Sequence, residues 1–282
     1  MANLFFSGDE YARFINWKSR CKTQVLAALT RSSLTIVKRS RRNFLGFFWV
    51  AMPYLVFISG IILFRQAGEG GDKFTLILNV GAFYLIYRFY ADTVLDSTGI
   101  LFANRSRLMN SHETYVSHVL FVFFTNFIET LFRLFAYIIL VLSFSFFLNH
   151  GLEYELIPRA LLMAIFLVSN VLITSLYTSL ICLRFPDVAQ IAQFMFRLSI
   201  FFSPLLLDIE RLNSGNLLFY LVMLNPLTHL MLSFFQTTGF YANDFLSSNV
   251  EALLIFVFLN VFVLGITLKF SQKNYKHWLL RK

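Results

Sequence analysis

Acidic residues, cysteine and proline are all scarce in this chain, and each shortage excludes something. Fifteen Asp and Glu stand against 24 Lys and Arg, and only 14% of the 282 residues carry a charge. Soluble domains carry about 25%. Two cysteines, Cys21 and Cys182, do not make a disulfide framework or a thiolate metal site. The five histidines (His112, His118, His150, His229 and His277) lack a zinc spacing such as His-Glu-x-x-His. No Gly-x-Ser-x-Gly elbow supports a serine hydrolase. Gly68-Glu69-Gly70-Gly71-Asp72-Lys73-Phe74-Thr75 fails as a phosphate loop, because Gly-Lys-Ser/Thr never occur in sequence there. It reads as a flexible turn. No catalytic residue, metal ligand or cofactor site is expected on this chain.

What is present is apolar. Fifty-seven percent of the residues are hydrophobic and 36 are Phe. A membrane span needs about 20 apolar residues, and residues 44–64 supply 21 without a charge. Candidate spans follow at 74–103, 115–148, 156–183, 188–207 and 249–270. The third, at 34 residues, makes about 50 Å of helix, too short for a hairpin of two spans and long enough to protrude from the bilayer. No interval between spans has room for a soluble domain of about 100 residues. The first 43 residues are mixed and basic and are not read as a cleavable signal.

The segment 215–241 is apolar but broken at Asn225-Pro226. Counted as a span, it would put the two ends of the chain on opposite faces. The arm, 1–43, holds nine Lys and Arg against two acids, and the tail from Lys269 holds five against none. Both should be cytoplasmic. The broken segment is therefore read as an external re-entrant pair of half-helices between spans five and six. On that topology the arm, the tail and the connections 104–114 and 184–187 hold 17 basic and 4 acidic residues. The outer connections hold 4 basic and 8 acidic ones. The net charge of +9 is thus a matter of orientation, not of nucleic-acid binding. The expected fold is an all-α membrane protein with a cytoplasmic arm (1–43), six spans (44–270) and a basic tail (271–282).

Within the arm, Val25, Leu26, Leu29, Leu34, Ile36 and Val37 recur at roughly helical spacing among cations that end in Lys38-Arg39-Ser40-Arg41-Arg42. This predicts an amphipathic helix lying in the membrane interface, or a topological anchor only. Charges inside spans are costly and are usually paired or functional. Arg88 and Asp92 share a face of span two, and Glu129 and Arg133 share one of span three. Arg88 with Glu129 and Asp92 with Arg133 is one arrangement. It serves either as a structural ion network or as the polar wall of a conduit. Arg197, without a nearby acid on span five, is a candidate for an anionic sugar or lipid phosphate. Tyr84, Tyr87 and Tyr90 drift slowly around one side of span two. They suit either sugar contacts or bundle packing.

The order of features resembles the ABC-2-type permeases that export polysaccharides. The basic arm leads into Leu45-Gly46-Phe47-Phe48-Trp49, with Pro53 four residues on. Asn104-Arg105-Ser106-Arg107-Leu108 stands at a cytoplasmic connection, Phe202-Ser203-Pro204 ends the fifth span, and Asn225-Pro226-Leu227 breaks the re-entrant segment. The likeness is greatest to the capsular-polysaccharide branch, which is related to the O-antigen and teichoic-acid exporters. Asn43 departs from the usual Ser, and Arg184-Phe185-Pro186-Asp187 from a more compact Tyr-Arg-Asp.

The resemblance implies a homodimeric half-transporter in the bacterial inner membrane. Its cargo would be a lipid-linked glycan, with a periplasmic co-polymerase or export protein as a further partner. ATP and Mg would sit on separate cytoplasmic ATPase subunits. Coupling to these falls to Asn104, Arg105, Arg107, Leu108, His112, Glu113, Arg184 and Asp187. Tyr84, Tyr87, Arg88, Tyr90, Arg133 and Arg197 are the conduit candidates. Ser203, Pro204, Asn225 and Pro226 are those of an outer gate. Three alternatives stay open: an ABC-2 exporter of a small lipid or drug, an ATPase-independent secondary transporter, and a membrane glycosyltransferase or acyltransferase.

Overall fold

A computed structural model describes residues 8–42, 46, 48–69, 73–110, 114–148, 157–203, 217–225, 227–228, 231–232, 258, 260–267 and 269. Every element among them is a helix: α1 (Gly8–Arg42), α2 (Phe48–Glu69), α3 (Lys73–Ala103), α4 (Arg105–Asn110), α5 (Tyr115–Leu148), α6 (Ile157–Arg184), α7 (Asp187–Phe201) and α8 (Leu217–Leu224). Residues 260–267 are also helical. The all-α expectation holds. Within α5 and α6, Tyr115–Ser143 and Ala164–Arg184 are long and apolar enough to cross a bilayer.

Five of the candidate spans overlap helices, but the fifth is shorter than the expected 188–207: α7 stops at Phe201 after 15 residues, because Phe202 leaves helical backbone. Span three is a single 34-residue helix, as its unbroken apolar run requires. Of the segment 68–75 read as a turn, Gly68 and Glu69 belong to α2 and Lys73, Phe74 and Thr75 to α3, because the helices extend past the apolar runs. Residues 70–72 lie outside the described residues, as does most of 204–259.

The bundle is built around α3, which packs against α2, α5, α6 and α7. Its central position follows from composition. Val80, Phe83, Tyr84, Ile86, Tyr87, Phe89, Tyr90, Ala91 and Val94 are all buried, so most of the helix's circumference is apolar and must be enclosed, with Arg88, Asp92 and Asp96 on the remaining face. Close approach to α5 is set at Gly81, where any Cβ would collide with the Tyr137 ring. The Gly81 carbonyl also accepts a 2.9 Å hydrogen bond from Tyr54 Oη of α2.

At one end of the bundle a second apolar cluster joins Leu101, Leu108, Val119, Leu180 and Leu183. It seats the short α4 beside the end of α6. The connections 104–114 and 184–187 therefore meet at the same end, where the charge count puts both.

The arm departs from a helix simply laid on the surface. Ser32 Oγ donates to the Phe121 carbonyl at 2.9 Å, and Arg39 reaches Glu129 at 2.7 Å. The offset between partners is 89 residues at one contact and 90 at the next, so α1 runs alongside α5 in the same direction. Ala28, Ser32 and Ile36, one turn apart, are the buried positions. Of the six apolar residues that defined the amphipathic pattern, only Ile36 faces the bundle. Val25, Leu26, Leu29, Leu34 and Val37 are exposed. Beyond the covered stretch, α5 presents Leu131, Leu134, Phe135, Ile138, Ile139 and Leu142 outward, an apolar stripe at helical spacing that a water-facing surface does not favour.

Candidate functional site

Where α1, α3 and α5 meet, five charged side chains form an alternating chain. Arg39 Nη1 donates to Glu129 Oε1 at 2.7 Å. Glu129 Oε2 lies 3.4 Å from Arg133 Nη2, one turn along α5. Arg133 Nη1 crosses to Asp92 Oδ2 of α3 at 3.1 Å. Arg88 Nε completes the chain at 3.3 Å from the same Asp92 oxygen. The Arg133 side chain is only 8% exposed, against 42% for Arg88 and 62% for Arg39. Asn126 adds a neutral tie, donating to Asp96 at 3.0 Å.

Of the two expected cross-helix pairs, Asp92 with Arg133 is present. Glu129 instead turns to the arm, and Arg88 stays on its own helix. Arg39 is the member that sequence reasoning missed as part of this network. Its phase gave a signal, since Ser32, Ile36 and Arg39 fall at i, i+4 and i+7 and therefore on one face.

In front of this chain lies a cavity of about 260 Å³, bordered by α1, α2, α3 and α5. Arg39, Arg88, Arg133 and Glu129 supply its charged wall, and Trp49, Tyr54 and Tyr84 its aromatic one. Gly46 stands at its edge with φ of 53°. That is left-handed backbone, which a side chain resists. The nearest atom to a Cβ there would be 3.9 Å away, so conformation, not space, calls for glycine.

The three tyrosines do not share a free face. Tyr84 stacks on Phe57 and Tyr54 of α2. Tyr87 donates its hydroxyl to the Phe196 carbonyl of α7. The Tyr90 hydroxyl meets Thr174 Oγ1 of α6 at 2.8 Å. All three are buried within one chain. A second cavity, of about 450 Å³, opens beside Tyr90, Tyr177, Met195, Phe202 and Leu221 and is mostly apolar. Next to it, Tyr177 donates to Asn260 Oδ1 at 2.7 Å.

The remaining candidates lie around α4 and α7. Asn104 caps α3 by donating Nδ2 to the Ile100 carbonyl at 2.9 Å. Leu108 is buried, Arg105 is half-buried and Arg107 is exposed. Arg184 lies over the Phe185 ring at 5.5 Å, and Asp187 opens α7, where an acid favours the helix dipole. Arg197 is exposed on α7, among the outward Phe194, Met195, Leu198 and Phe201, and no acid pairs with it among the described residues.

Ser203 is buried and donates to the Ile200 carbonyl at 2.7 Å. Asn225 holds the end of α7: its Nδ2 donates to the Ser199 and Phe202 carbonyls at 3.0 Å each. Its Oδ1 accepts from the Leu227 amide at 3.1 Å. The helix break thus supplies donors to carbonyls that α7 leaves unpaired. His112, Glu113, Pro204 and Pro226 lie outside the described residues.

Among the described residues no group of His, Cys, Asp and Glu is placed to hold a metal. Comparison with known proteins finds no family model that matches the chain and no similar curated protein.

Proposed function

We propose that the chain is the membrane subunit of an ABC-type exporter that carries a lipid-linked polysaccharide, of the capsular kind, across a bacterial inner membrane. ATP hydrolysis falls to separate cytoplasmic subunits, and two copies of the chain form the conduit. In this reading α2, α3, α5, α6, α7 and the helix through residues 260–267 are the six spans, with both ends of the chain cytoplasmic.

The observation that carries the reading is the apolar cluster that joins α4 to the adjoining ends of α3, α5 and α6. It makes one rigid end-surface from two connections that bear Arg105, Arg107 and Arg184. A soluble subunit pushing there moves α3, α5 and α6 together, since Leu101, Val119 and Leu180 belong to the same cluster. The arm, tied to α5 through Glu129, follows. At the other end of α7, Asn225 is placed to transmit its movement to α8, the proposed outer gate.

Purifying the full chain by affinity in mild detergent, and identifying its companions by mass spectrometry, tests the proposal. A P-loop ATPase in stoichiometric amount is the expected result. An intact, folded chain that brings down no ATPase removes the ABC assignment.

A further inference from the structure

The ion network leaves donors unused, and they face a cavity. A guanidinium carries five N–H groups in a planar fork. Arg39 engages Glu129 through Nη1 alone, and Arg88 approaches Asp92 through Nε alone. Their remaining N–H groups have no protein partner among the described residues, yet both side chains border the cavity between α1, α2, α3 and α5. Charge is also left over. Arg39, Arg88 and Arg133 bring three positive charges, while Glu129 and Asp92 return two negative ones. Of these acids only Glu129 borders the cavity; Asp92 lies behind the wall as the partner of Arg88 and Arg133, and Asp96, one turn further, is turned to Asn126. Cations therefore predominate at the cavity wall, where three guanidiniums meet one carboxylate beside Trp49, Tyr54 and Tyr84.

Arg133 is spent on the two carboxylates and buried, so the surplus resides on the two exposed guanidiniums. Trp49, which borders the cavity, is exposed, as is its neighbour Phe48, and aromatic side chains of this kind suit a bilayer interface.

We propose that this cavity binds a singly charged phosphate ester, held between Arg39 of the arm and Arg88 of α3. The phosphodiester of an anionic lipid headgroup has this chemistry, and free phosphate shares it. A bound phosphate bridges α1 directly to α3, which the ion chain links through Glu129, Arg133 and Asp92, and so adds a second tie between the arm and the bundle. The site stands on its own geometry and does not depend on the transport reading.

The test uses the full chain, delipidated in detergent and titrated separately with short-chain phosphatidylglycerol, short-chain phosphatidylcholine and inorganic phosphate. Bound ligand is counted by native mass spectrometry. Phosphatidylglycerol should bind about tenfold or more tightly than phosphatidylcholine, which has the same phosphate but no net charge. Arg39→Gln and Arg88→Gln should each remove that preference, and Arg39→Lys should restore part of it. Arg39→Gln is the safer variant for folding, because Glu129 keeps Arg133 as a partner.

If inorganic phosphate displaces phosphatidylglycerol in the wild type but not in Arg39→Gln, the site is upheld with a soluble ligand. If it does not displace the lipid, the site is upheld with the headgroup as ligand. Equal binding of the two lipids, or an undiminished preference in both Gln variants, overturns the proposal.

Discussion

The two sides of α3 are held by different chemistry. Toward α5 and the arm, the contacts are between full charges: Arg88, Asp92, Arg133, Glu129 and Arg39. Toward α6 and α7 they are neutral, Tyr90 on Thr174 and Tyr87 on the Phe196 carbonyl, and α7 is tied in turn to α8 by Asn225 on the carbonyls of Ser199 and Phe202. Neutral hydrogen bonds contribute about 1 kcal/mol each and fail one at a time. A buried charge pair is nearly neutral in net stability but severe when half of it is lost. The α5 side is thus specified strongly and tolerates little change. The neutral side has several small ties and can rearrange locally.

The largest expected effect comes from breaking the charged side. Arg133→Ala leaves Asp92 and Glu129 without their shared partner, and should cost about 3–5 kcal/mol. It should appear as a lowered denaturation midpoint in detergent. Combining Arg133→Met with Asp92→Asn and Glu129→Gln should recover most of that loss, because the only charges left without a partner, on Arg39 and Arg88, are exposed to solvent. If Arg133→Ala unfolds at the wild-type midpoint, the network is not structural.

Next comes Asn225→Ala, which strips three hydrogen bonds from the junction of α7 and α8. A loss of about 1–3 kcal/mol is expected, with faster amide exchange confined to the end of α7 and to α8. Exchange rising equally in α5 would erase the proposed independence of the two sides. The smallest change is Tyr90→Phe, at about 1 kcal/mol, because Thr174 keeps its own bond to the Asn170 carbonyl. A cost matching that of Arg133→Ala would show that the neutral side is no softer than the charged one.

Much of the bundle was legible because apolar runs of this length fold only one way. The 115–148 span and the break at Asn225 were read from sequence and stand in the structure as Tyr115–Leu148 and the end of α8. The Asp92–Arg133 pair was legible too, because i,i+4 spacing put each charged pair on a single face.

What was not legible depended on packing between distant segments. Arg39 and Glu129 lie 90 residues apart, and nothing local says that the arm runs along α5. The tyrosine triad shows the limit of a periodicity argument. Steps of three residues turn about 60° short of a full circle, a small drift on a surface helix. On a helix enclosed by α2, α6 and α7 the same drift moves each ring to a different neighbour.

The constant offset between α1 and α5 has a mechanical consequence. Two helices matched at Ser32–Phe121 and Arg39–Glu129 behave as a keyed shaft. Sliding one past the other breaks both contacts. Slipping the arm by one residue shifts it by about 1.5 Å and turns the Arg39 position about 100° away from Glu129. A one-residue slip therefore breaks the Arg39–Glu129 pair, and with it the arm's tie to the charged chain that runs through Arg133 to α3.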